Sequence, residues 1–276
     1  LGVLGAARIA SDAIARPARS TGHRVVAVAA RDRARAERFA ADHGVERVAL
    51  SYEALIEDPE IEAVYNPLPN ALHAPWSLAA IEAGKHVLCE KPFASNGDEA
   101  MIVRFAAAAA GVQCMEAFHY RYHPVMERMV EIVGSGLIGE VVRVEARMLM
   151  PPPGAEDPRW DLALAGGALM DVGCYAVHAL RSLGQAMGAE PVLDSARAGC
   201  PEQAPGVDSW LEAEFVLASG AHARLVTGMT HGVRDFSLRL IGTAGEAFAP
   251  AFVLPHLDED RKSTRLNSSH LVISYA

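Results

Sequence analysis

One stretch near the start decides the fold: residues 2–10 read Gly-Val-Leu-Gly-Ala-Ala-Arg-Ile-Ala. A short apolar run ends at Gly5, and a helical pattern begins at Ile9. This order predicts a strand, a tight turn and a helix whose first N–H groups can receive a pyrophosphate. The motif matches G-x-G-x-x-A, except that Ala7 stands at the second glycine position. By itself the match is weak, because such a turn also ends ordinary buried strands.

The next hundred residues repeat this alternation of strand and helix. Short apolar runs predict strands at 2–4, 25–30, 63–66, 86–89 and 112–116. Helical patterns start at residue 9 and cover 34–43, 74–83 and 97–110. Strands separated by helices of this length form a parallel sheet covered on both faces. We therefore predict an α/β Rossmann dinucleotide-binding domain over residues 1–117.

The pattern changes after Pro124. A helix is predicted at 125–133, and another from about 168 to 182 follows Gly166-Gly167. Alternating apolar and polar residues predict strands at 141–150, 210–217, 221–229 and 236–241. We predict an α+β substrate-binding domain over residues 118–260, with a mostly antiparallel open sheet and a helix against one face. The other face is expected to be apolar and uncovered, so a homodimer or higher homo-oligomer is predicted.

The last sixteen residues differ from the rest. Residues 261–276 are polar and lack the turn-and-strand pattern of the preceding domain. We interpret them as a probable non-native tail.

Composition limits the class of partner. The 25 basic and 34 acidic residues give a net charge of −9, and no dense Lys/Arg stripe occurs. Nucleic acid and membrane partners are therefore not expected, and a small molecule is. No apolar run approaches the roughly 18 residues that span a membrane. The four cysteines form no C-x-x-C pair, which favours a reducing, cytoplasmic setting without a disulfide framework.

The end of the second predicted strand bears on the cofactor. In NAD-binding proteins an acidic residue binds the ribose 2′-hydroxyl about 20 residues beyond the glycine turn. Here small Ala30 and cationic Arg31 come before Asp32. A guanidinium can stack on adenine and pair with a 2′-phosphate, so NADP is favoured, with NAD as the alternative. The competing interpretation is an exposed arginine at a helix start that balances Asp32.

Two further strand ends are expected at the same edge of the sheet, because ligands bind outside the carboxyl ends of parallel strands. The side chains that this argument gathers there are Asn66, Pro67, His73, Glu90 and Lys91. Only three of the 25 basic residues are lysine, which makes Lys91 the main candidate for chemistry. The alternative is a solvated lysine before a turn.

Several segments together resemble one family. They read Gly-Ala-Ala-Arg-Ile-Ala (5–10), Ala-Arg (30–31), Tyr-Asn-Pro-Leu-Pro-Asn-Ala-Leu-His (65–73), Glu-Lys-Pro (90–92), Glu-Ala-Phe-His-Tyr-Arg-Tyr-His-Pro (116–124) and Gly-Gly-Ala-Leu-Met-Asp-Val-Gly-Cys-Tyr (166–175). The chain resembles the Gfo/Idh/MocA family of NAD(P)-dependent oxidoreductases over residues 2 to about 260. With tyrosine at 175 it is most similar to the glucose-fructose oxidoreductase and dimeric dihydrodiol dehydrogenase branch. Ala7 and the tail from Arg261 depart from the family pattern.

The resemblance implies a set of site residues. Lys91 matches the family's catalytic lysine, and the peptide before Pro92 is often cis in relatives. Asp171 and Tyr175, four residues apart on one helix face, match the second-domain positions of the site. The predicted cofactor-binding residues are Gly5, Ala6, Ala7, Arg8, Ile9, Ala30, Arg31, Asn66, Pro67, Leu68, Asn70, His73, Glu90 and Lys91. The predicted substrate-lining residues are Phe118, His119, Arg121 and His178.

We therefore predict an NADP-dependent oxidoreductase acting on a secondary alcohol, or the matching carbonyl, of a sugar-like or cyclic diol substrate. Tyr175 would move the proton, the Lys91 ammonium would lower the pKa of that tyrosine, and Asp171 would orient a hydroxyl or Lys91. Asp171 is taken to lie too deep in its helix to cap it. A different class is a dinucleotide-binding sensor or scaffold without catalysis.

Three histidines are candidate metal ligands, namely His119, His123 and His178. No cysteine or carboxylate stands at ligand spacing beside them, so core or substrate-lining histidines are expected and no metal.

Overall fold

The computed structural model describes residues 1–217, 219–254 and 272–275. Contacts within the chain divide it into a first unit, Leu1–Ala117, and a second unit, Phe118–Ala276. Each unit has its own sheet and its own hydrophobic core.

The first unit is built on a six-stranded parallel sheet in the order β3-β2-β1-β4-β5-β6. Its strands are β1 (Gly2–Leu4), β2 (Ala27–Ala29), β3 (Arg47–Val48), β4 (Ala63–Asn66), β5 (His86–Cys89) and β6 (Cys114–Glu116). The chain leaves β3 at one edge and returns as β4 on the other side of β1. The strand order therefore reverses between β1 and β4, which is where open sheets of this kind bind ligands. The predicted Rossmann architecture is confirmed.

Helices connect the strands of the first unit. They are α1 (Arg8–Ala10), α2 (Arg16–Ser20), α3 (Arg33–His43), α4 (Tyr52–Ile56), α5 (His73–Glu82) and α6 (Gly97–Ala110). A π-helical segment, Ser11–Ala15, joins α1 to α2, so residues 8–20 form one continuous helical run.

The sequence located most of these elements. Strands were predicted with the observed bounds at 2–4, 63–66 and 86–89, whereas β2 and β6 are shorter than predicted. The two-residue edge strand β3 and the five-residue helix α4 were missed, because neither is long enough to show a hydrophobic period.

The second unit contains a seven-stranded sheet in the order β13-β12-β11-β7-β10-β9-β8. Its strands are β7 (Val141–Leu149), β8 (Val192–Gly199), β9 (Trp210–Val216), β10 (His222–Gly228), β11 (Leu238–Gly242), β12 (Gly245–Ala249) and β13 (Val272–Tyr275). All neighbours pair antiparallel except β7 and β10, which are parallel. The predicted mostly antiparallel sheet is confirmed, but β8, β12 and β13 were not predicted.

Two helices cover one face of this sheet, where one was predicted. They are α7 (Pro124–Ser135) and α8 (Cys174–Ala186), and a π-helical segment, Leu169–Gly173, precedes α8. Helix α8 packs on β7 and β10, and α7 packs on α8 and β12. Buried Met129 and Leu180 lie in the same core as Val144 and Leu225 of the sheet.

The stretch Leu162–Ala186 is long and apolar enough, by length and composition alone, to cross a membrane, contrary to the sequence-based expectation. The buried residues between Val172 and Leu183 pack into the hydrophobic core of the second unit. Packing of this kind is typical of a core helix.

The helix-free face of the second sheet is charged, which corrects the expectation of an apolar face. Arginine and glutamate side chains pair across neighbouring strands, as in Arg197–Glu212, Arg224–Glu212 and Arg239–Glu246, and along β7 in Arg143–Glu145, all at 2.8–3.0 Å. Arg239 also lies 4.6 Å from the centroid of the Phe248 ring. This face therefore does not need to be covered by a second copy in order to bury apolar surface.

The predicted non-native tail, residues 261–276, lies outside the described residues except for β13. That strand pairs antiparallel with β12, with Ala247 opposite Ile273.

Candidate active site

The glycine turn has the geometry that the motif predicts. Gly5 has a φ of +88°, and a Cβ at this position would lie 3.0 Å from Cδ2 of Leu68. Ala7, at the second glycine position, has ordinary extended angles of −71° and 145°. Its side chain is therefore compatible with the turn, and the N–H groups that follow begin the helical run 8–20 without intrahelical acceptors. The turn fits a pyrophosphate, and the departure at Ala7 does not remove that fit.

Four arginines at the turn and at the end of β2 make no ion pair within the described part of the chain: Arg8, Arg31, Arg35 and Arg38. Arg8, Arg35 and Arg38 line a cleft of about 310 Å³ that also contains Ala6 and Ala7. Arg31 does not balance Asp32, because the Asp32 carboxylate caps α3 by accepting from the N–H of Arg35 at 3.0 Å.

Arg35 and Arg38 were missed by sequence reasoning, although a signal was present. Helix α3 has no acidic residue in its first turn and begins with Arg33. The positive end of a helix dipole favours acidic residues there, so a run of arginines at a helix start indicates an anion.

The loops after β4 and β5 are joined by buried polar side chains. The ring of His73 lies between them, with Nδ1 2.6 Å from the carbonyl oxygen of Pro92 and Nε2 2.7 Å from that of Leu68. Nδ2 of Asn66 donates to the carbonyl of His73 at 3.0 Å and to Oγ of Ser77 at 3.2 Å. His73 is 1% exposed and Asn66 is fully buried.

The cofactor-binding role of Asn66 and His73 stays a prediction, and these contacts give both side chains a structural role. Both are turned into the protein, and both ring nitrogens of His73 already face carbonyl oxygens. Burial lowers the pKa of His73, while the two carbonyl contacts oppose that shift. Both nitrogens donate only when the ring is protonated. The two side chains hold the loops that carry the site.

Lys91 lies half-buried on the second of these loops. Its backbone N–H points to Oε2 of Glu90 at 3.3 Å, and Oε1 of Glu90 accepts from the hydroxyl of Tyr65 at 2.7 Å. The Lys91–Pro92 peptide bond is cis, as the resemblance implies. The N–H of Phe93 donates to Oε1 of Glu116 at 2.8 Å. The backbone on both sides of Lys91 is therefore fixed.

The other loop positions differ in exposure. Pro67 and Leu68 are buried, whereas Asn70 is half-buried and begins the 3-10 turn Asn70–Leu72. Ala30 is half-buried, and Ile9 is 49% exposed.

In the second unit, Gly166 and Gly167 bring a loop against the start of the helix that carries the predicted catalytic residues. The N–H of Gly167 donates to the carbonyl of Arg159 at 3.0 Å. A Cβ at Gly166 would overlap that carbonyl, and one at Gly167 would overlap the Asp208 carboxylate. Asp208 accepts from the N–H of Leu169 at 2.8 Å and so caps the helix start. Glycine is required at both positions by this close approach.

Asp171 was expected to lie too deep in its helix to cap it, but it lies in the first turn. Its carboxylate does not cap the helix, because Asp208 does. Instead, Oδ2 of Asp171 accepts from Nε of Arg159 at 2.5 Å. Asp171 is 9% exposed. Sequence reasoning missed Arg159, which is twelve positions earlier in the 3-10 turn Pro158–Trp160.

Tyr175 lies in a cluster of aromatic rings. Its ring centroid is 5.5 Å from that of Phe118, 6.0 Å from His119 and 5.7 Å from Tyr120. Phe118 stacks on His178 with centroids 4.1 Å apart. The predicted substrate-lining residues Phe118, His119 and His178 therefore lie beside Tyr175, and Arg121 is half-buried in the same turn, His119–Tyr122.

The three histidines each have a protein partner. The ring Nδ1 of His178 lies 2.6 Å from the hydroxyl of Tyr120, and burial followed by the charges of Arg181 and Arg121 lowers the His178 pKa to about 4. Nε2 of His119 lies 3.0 Å from the carbonyl of Val253. Nδ1 of His123 accepts from the N–H of Val125 at 3.2 Å. Within the described ranges no group of three or more metal-ligating side chains occurs.

A parallel sheet with a phosphate-binding turn, unpaired arginines beside it and a lysine on a fixed strand-end loop defines a dinucleotide-binding oxidoreductase fold, here followed by an open-sheet unit. Residues 1–118 match the family model described as "Oxidoreductase family, NAD-binding Rossmann fold". Residues 126–248 match the "GFO/IDH/MocA C-terminal domain". The chain belongs to the Gfo/Idh/MocA family, as its motifs predicted.

Individual relatives agree with this assignment. The chain is 48% identical over 181 residues to D-xylose 1-dehydrogenase (NADP(+)) 2 of Haloferax volcanii. The matched segment covers 65% of this chain and 55% of that protein. It is 34% identical over 251 residues to trans-1,2-dihydrobenzene-1,2-diol dehydrogenase of Mus musculus, covering 89% and 73%. The chain thus spans about half the length of the xylose dehydrogenase that it matches.

Among solved structures, the chain is similar to the complex of KijD10, a 3-ketoreductase from Actinomadura kijaniata, with NADP and TDP-benzene. The TM-score is 0.82 and the identity 32%, over 90% of this chain and 74% of that chain.

Proposed function

We propose that this protein is an NADP-dependent oxidoreductase that interconverts a secondary alcohol and the matching carbonyl of a sugar-like or cyclic diol substrate. The observation that carries the proposal is Lys91, a half-buried amine on a loop whose neighbours are held by His73, Glu90 and Glu116. A lysine held in this way suits proton transfer or charge stabilisation at a reacting oxygen.

The residues of the first unit fit NADP. The turn at Gly5 and the N–H groups after Ala7 would hold the pyrophosphate. Arg31, with Arg8 and Arg35, would bind the 2′-phosphate, because guanidinium groups without a protein partner form charge-assisted hydrogen bonds to phosphate oxygens. When bound, the nicotinamide would give or receive the hydride.

The proton is assigned to residues of both units. Tyr175 would take the proton of the substrate hydroxyl in oxidation and return it in reduction. The Lys91 ammonium would stabilise negative charge at the reacting oxygen. Asp171 would hold the substrate hydroxyl in the orientation for transfer.

The substrate class is supported by the relatives. Their names specify xylose, dTDP-linked deoxysugars and a dihydrodiol, which share a ring that carries vicinal oxygens. The test is a panel of aldoses, ketoses, nucleotide-linked ketosugars and trans-dihydrodiols, followed by NADPH absorbance. Turnover with at least one member is expected. NADPH binding without turnover across the whole panel would instead support the dinucleotide-binding sensor.

We also infer a homo-oligomer, on a basis different from the one that sequence reasoning used. The charged face of the second sheet has arginines and glutamates in alternation, so a second copy related by a two-fold axis can present complementary charges. Light scattering at low and high salt is the test. A mass that falls towards the monomer as salt rises is expected, and a monomer at every salt concentration would contradict the inference.

We further propose a reducing, cytoplasmic setting. All four cysteines are free thiols in the structure. Burial raises the pKa of Cys89 and raises that of Cys114 to about 11, so these thiols do not react readily. Cell fractionation with an antibody is the direct test.

A further inference from the structure

We propose that Arg159 is a positioning residue of the catalytic centre, which fixes the orientation and the charge of the Asp171 carboxylate. This inference rests on the proposed function, in which Asp171 orients the substrate hydroxyl. The juxtaposition that carries it is one guanidinium held between two carboxylates, one of which is the predicted catalytic group.

The Arg159 guanidinium donates hydrogen bonds to two carboxylates. Its Nε donates to Oδ2 of Asp171 at 2.5 Å, and its Nη1 lies 3.1 Å from both carboxylate oxygens of Asp157. Burial alone would lower the pKa of Arg159, but the charges and hydrogen bonds of Asp171 and Asp157 outweigh burial and raise it. Arg159 therefore stays charged and bound to both acids, and its planar guanidinium, held by Asp157, fixes the position of Oδ2 of Asp171.

The backbone around Arg159 is fixed as firmly as the side chain. Its own N–H donates to Oδ1 of Asp157 at 3.0 Å, and its carbonyl accepts from Gly167 at 3.0 Å. The missing side chain at Gly166 is what allows this carbonyl to reach the helix start. The Gly166-Gly167 pair, part of the motif that carried the family resemblance, thus has a physical purpose: it brings Arg159 to the carboxylate.

The electrostatic setting gives Arg159 its importance. Asp171 is 9% exposed, so its charge is poorly solvated by water. A buried carboxylate without a partner favours the protonated form, which donates where the ionised form accepts. The Arg159 guanidinium brings a positive charge to Oδ2 of Asp171 and binds that oxygen as a hydrogen-bond acceptor.

The test compares kinetics of the full chain carrying Arg159→Met, Arg159→Lys, Asp171→Asn and the double substitution Arg159→Met with Asp171→Asn. For Arg159→Met we expect kcat to fall about 50-fold with KM for NADPH unchanged, in the range for loss of an orienting group. Lysine restores the charge but not the fork, so Arg159→Lys should keep activity within about tenfold of the parent. In the Asp171→Asn background, Arg159→Met should cost less than about threefold, because both changes remove the same oriented carboxylate.

Arg128→Met is the matched control. Its side chain is 40% exposed, close to the 37% of Arg159, and it forms an ion pair with Glu131 on α7 at 2.7 Å. Its kinetics should match those of the parent, and NADPH binding and thermal unfolding confirm that each variant is folded.

The possible failures are distinct. If Arg159→Met costs the same factor in the parent and in the Asp171→Asn background, or if lysine gives no recovery, Arg159 does not act through Asp171 and the inference is wrong. If Asp171→Asn keeps full activity, the role that the proposed function gives to Asp171 fails first. If every variant binds NADPH but the parent turns over nothing, the proposed function itself fails.

Discussion

The loop that carries Lys91 and the helix start that carries Asp171 are held by different forces. The loop is held by buried neutral contacts: the His73 ring lies between two carbonyl oxygens, and Asn66 donates to the His73 backbone. The helix start is held by a charge pair in which the Arg159 side chain is 37% exposed.

The difference predicts how each region responds to substitution. Removing a partner of a fully buried polar group leaves that group unsatisfied, which destabilises the fold as well as displacing the loop. The ion pair at the helix start is exposed on the Arg159 side and buried on the Asp171 side. Screening by water keeps the net contribution of such a pair to stability small, although removing the arginine still leaves a buried carboxylate. Changes under the Lys91 loop should therefore affect unfolding and activity together, whereas changes at Arg159 should affect activity more than unfolding.

The largest effect should come from the reacting groups of the two regions. Lys91→Met and Tyr175→Phe should each lower kcat about 10³-fold, the scale of lost acid–base catalysis, and leave NADPH affinity nearly unchanged. The double substitution should cost little more than either single one, because groups that act as a unit are not additive. Steady-state kinetics and fluorescence titration with NADPH provide the measurement.

Two results would separate the roles of these residues. Loss of NADPH binding in Lys91→Met would make Lys91 a cofactor ligand. Full activity in Tyr175→Phe would move the proton transfer to Lys91 or to a histidine such as His119.

The next effect tests the buried contacts of the loop. His73→Leu should lower the free energy of unfolding by about 2 kcal/mol, because a buried carbonyl group that faces the ring loses its hydrogen-bond donor. It should also lower kcat about tenfold at temperatures well below the transition, since the Lys91 loop is no longer held against the Leu68 loop. Denaturant unfolding and kinetics check both.

His23→Leu is the control for this prediction, because His23 is exposed and lies on a loop. It should change neither quantity. A His73→Leu protein with unchanged unfolding would show that this carbonyl group finds another partner, and the contrast between the two regions would then be lost.

The sequence predicted the loops but not what the side chains on them do. Apolar runs ending at Asn66 and Cys89 located the strand ends, because hydrophobic period and turn residues are local properties. Whether His73 turns outward to a cofactor or inward to Leu68 and Pro92 depends on packing between distant segments, which no local pattern records. The ring points inward to Leu68 and Pro92, and its predicted contact with the cofactor stays a prediction.

The same limit explains Arg159 and the arginines of α3. Arg159 acquires its role only when its loop folds onto Gly167, so nothing in its own neighbourhood indicates Asp171 as the partner. By contrast, Arg35 had a local signal in the basic start of α3. Only the second kind of residue was within reach of sequence reasoning.

A smaller effect concerns the cofactor. Arg31→Ala and Arg35→Ala should each weaken NADPH binding about tenfold, since one charge-assisted contact in an exposed setting contributes about 1.5 kcal/mol. NADH affinity should not change, because NADH lacks the 2′-phosphate. Fluorescence titration of both cofactors is the measurement.

Arg33→Ala is the matched control for this pair. Arg33 is exposed on the same helix start but is paired with Glu37 at 2.8 Å. Equal losses of NADPH and NADH affinity in Arg31→Ala would instead place that residue at the adenine or the pyrophosphate.

The smallest effect is a pH dependence of stability from the aromatic cluster of the second unit. Burial, with the charges of Arg181 and Arg121, lowers the pKa of His178 to about 4 from its ordinary value near 6.5. The folded protein thus favours the neutral ring, so this contribution is complete above pH 6.5 and is lost as pH falls towards 4. At about pH 5 the loss should be about 1 kcal/mol, after a discount for partial exposure.

Unfolding by urea at pH 7.5, 6 and 5 should show a shallower decline of stability for His178→Gln than for the parent, since glutamine does not titrate. His73 also has a pKa lowered by burial and contributes to the decline in both proteins, so the difference between them isolates His178. Identical pH curves would mean that protonation of His178 is accommodated beside Tyr120 and Phe118, and the second unit would then tolerate a charge where we expect only a neutral ring.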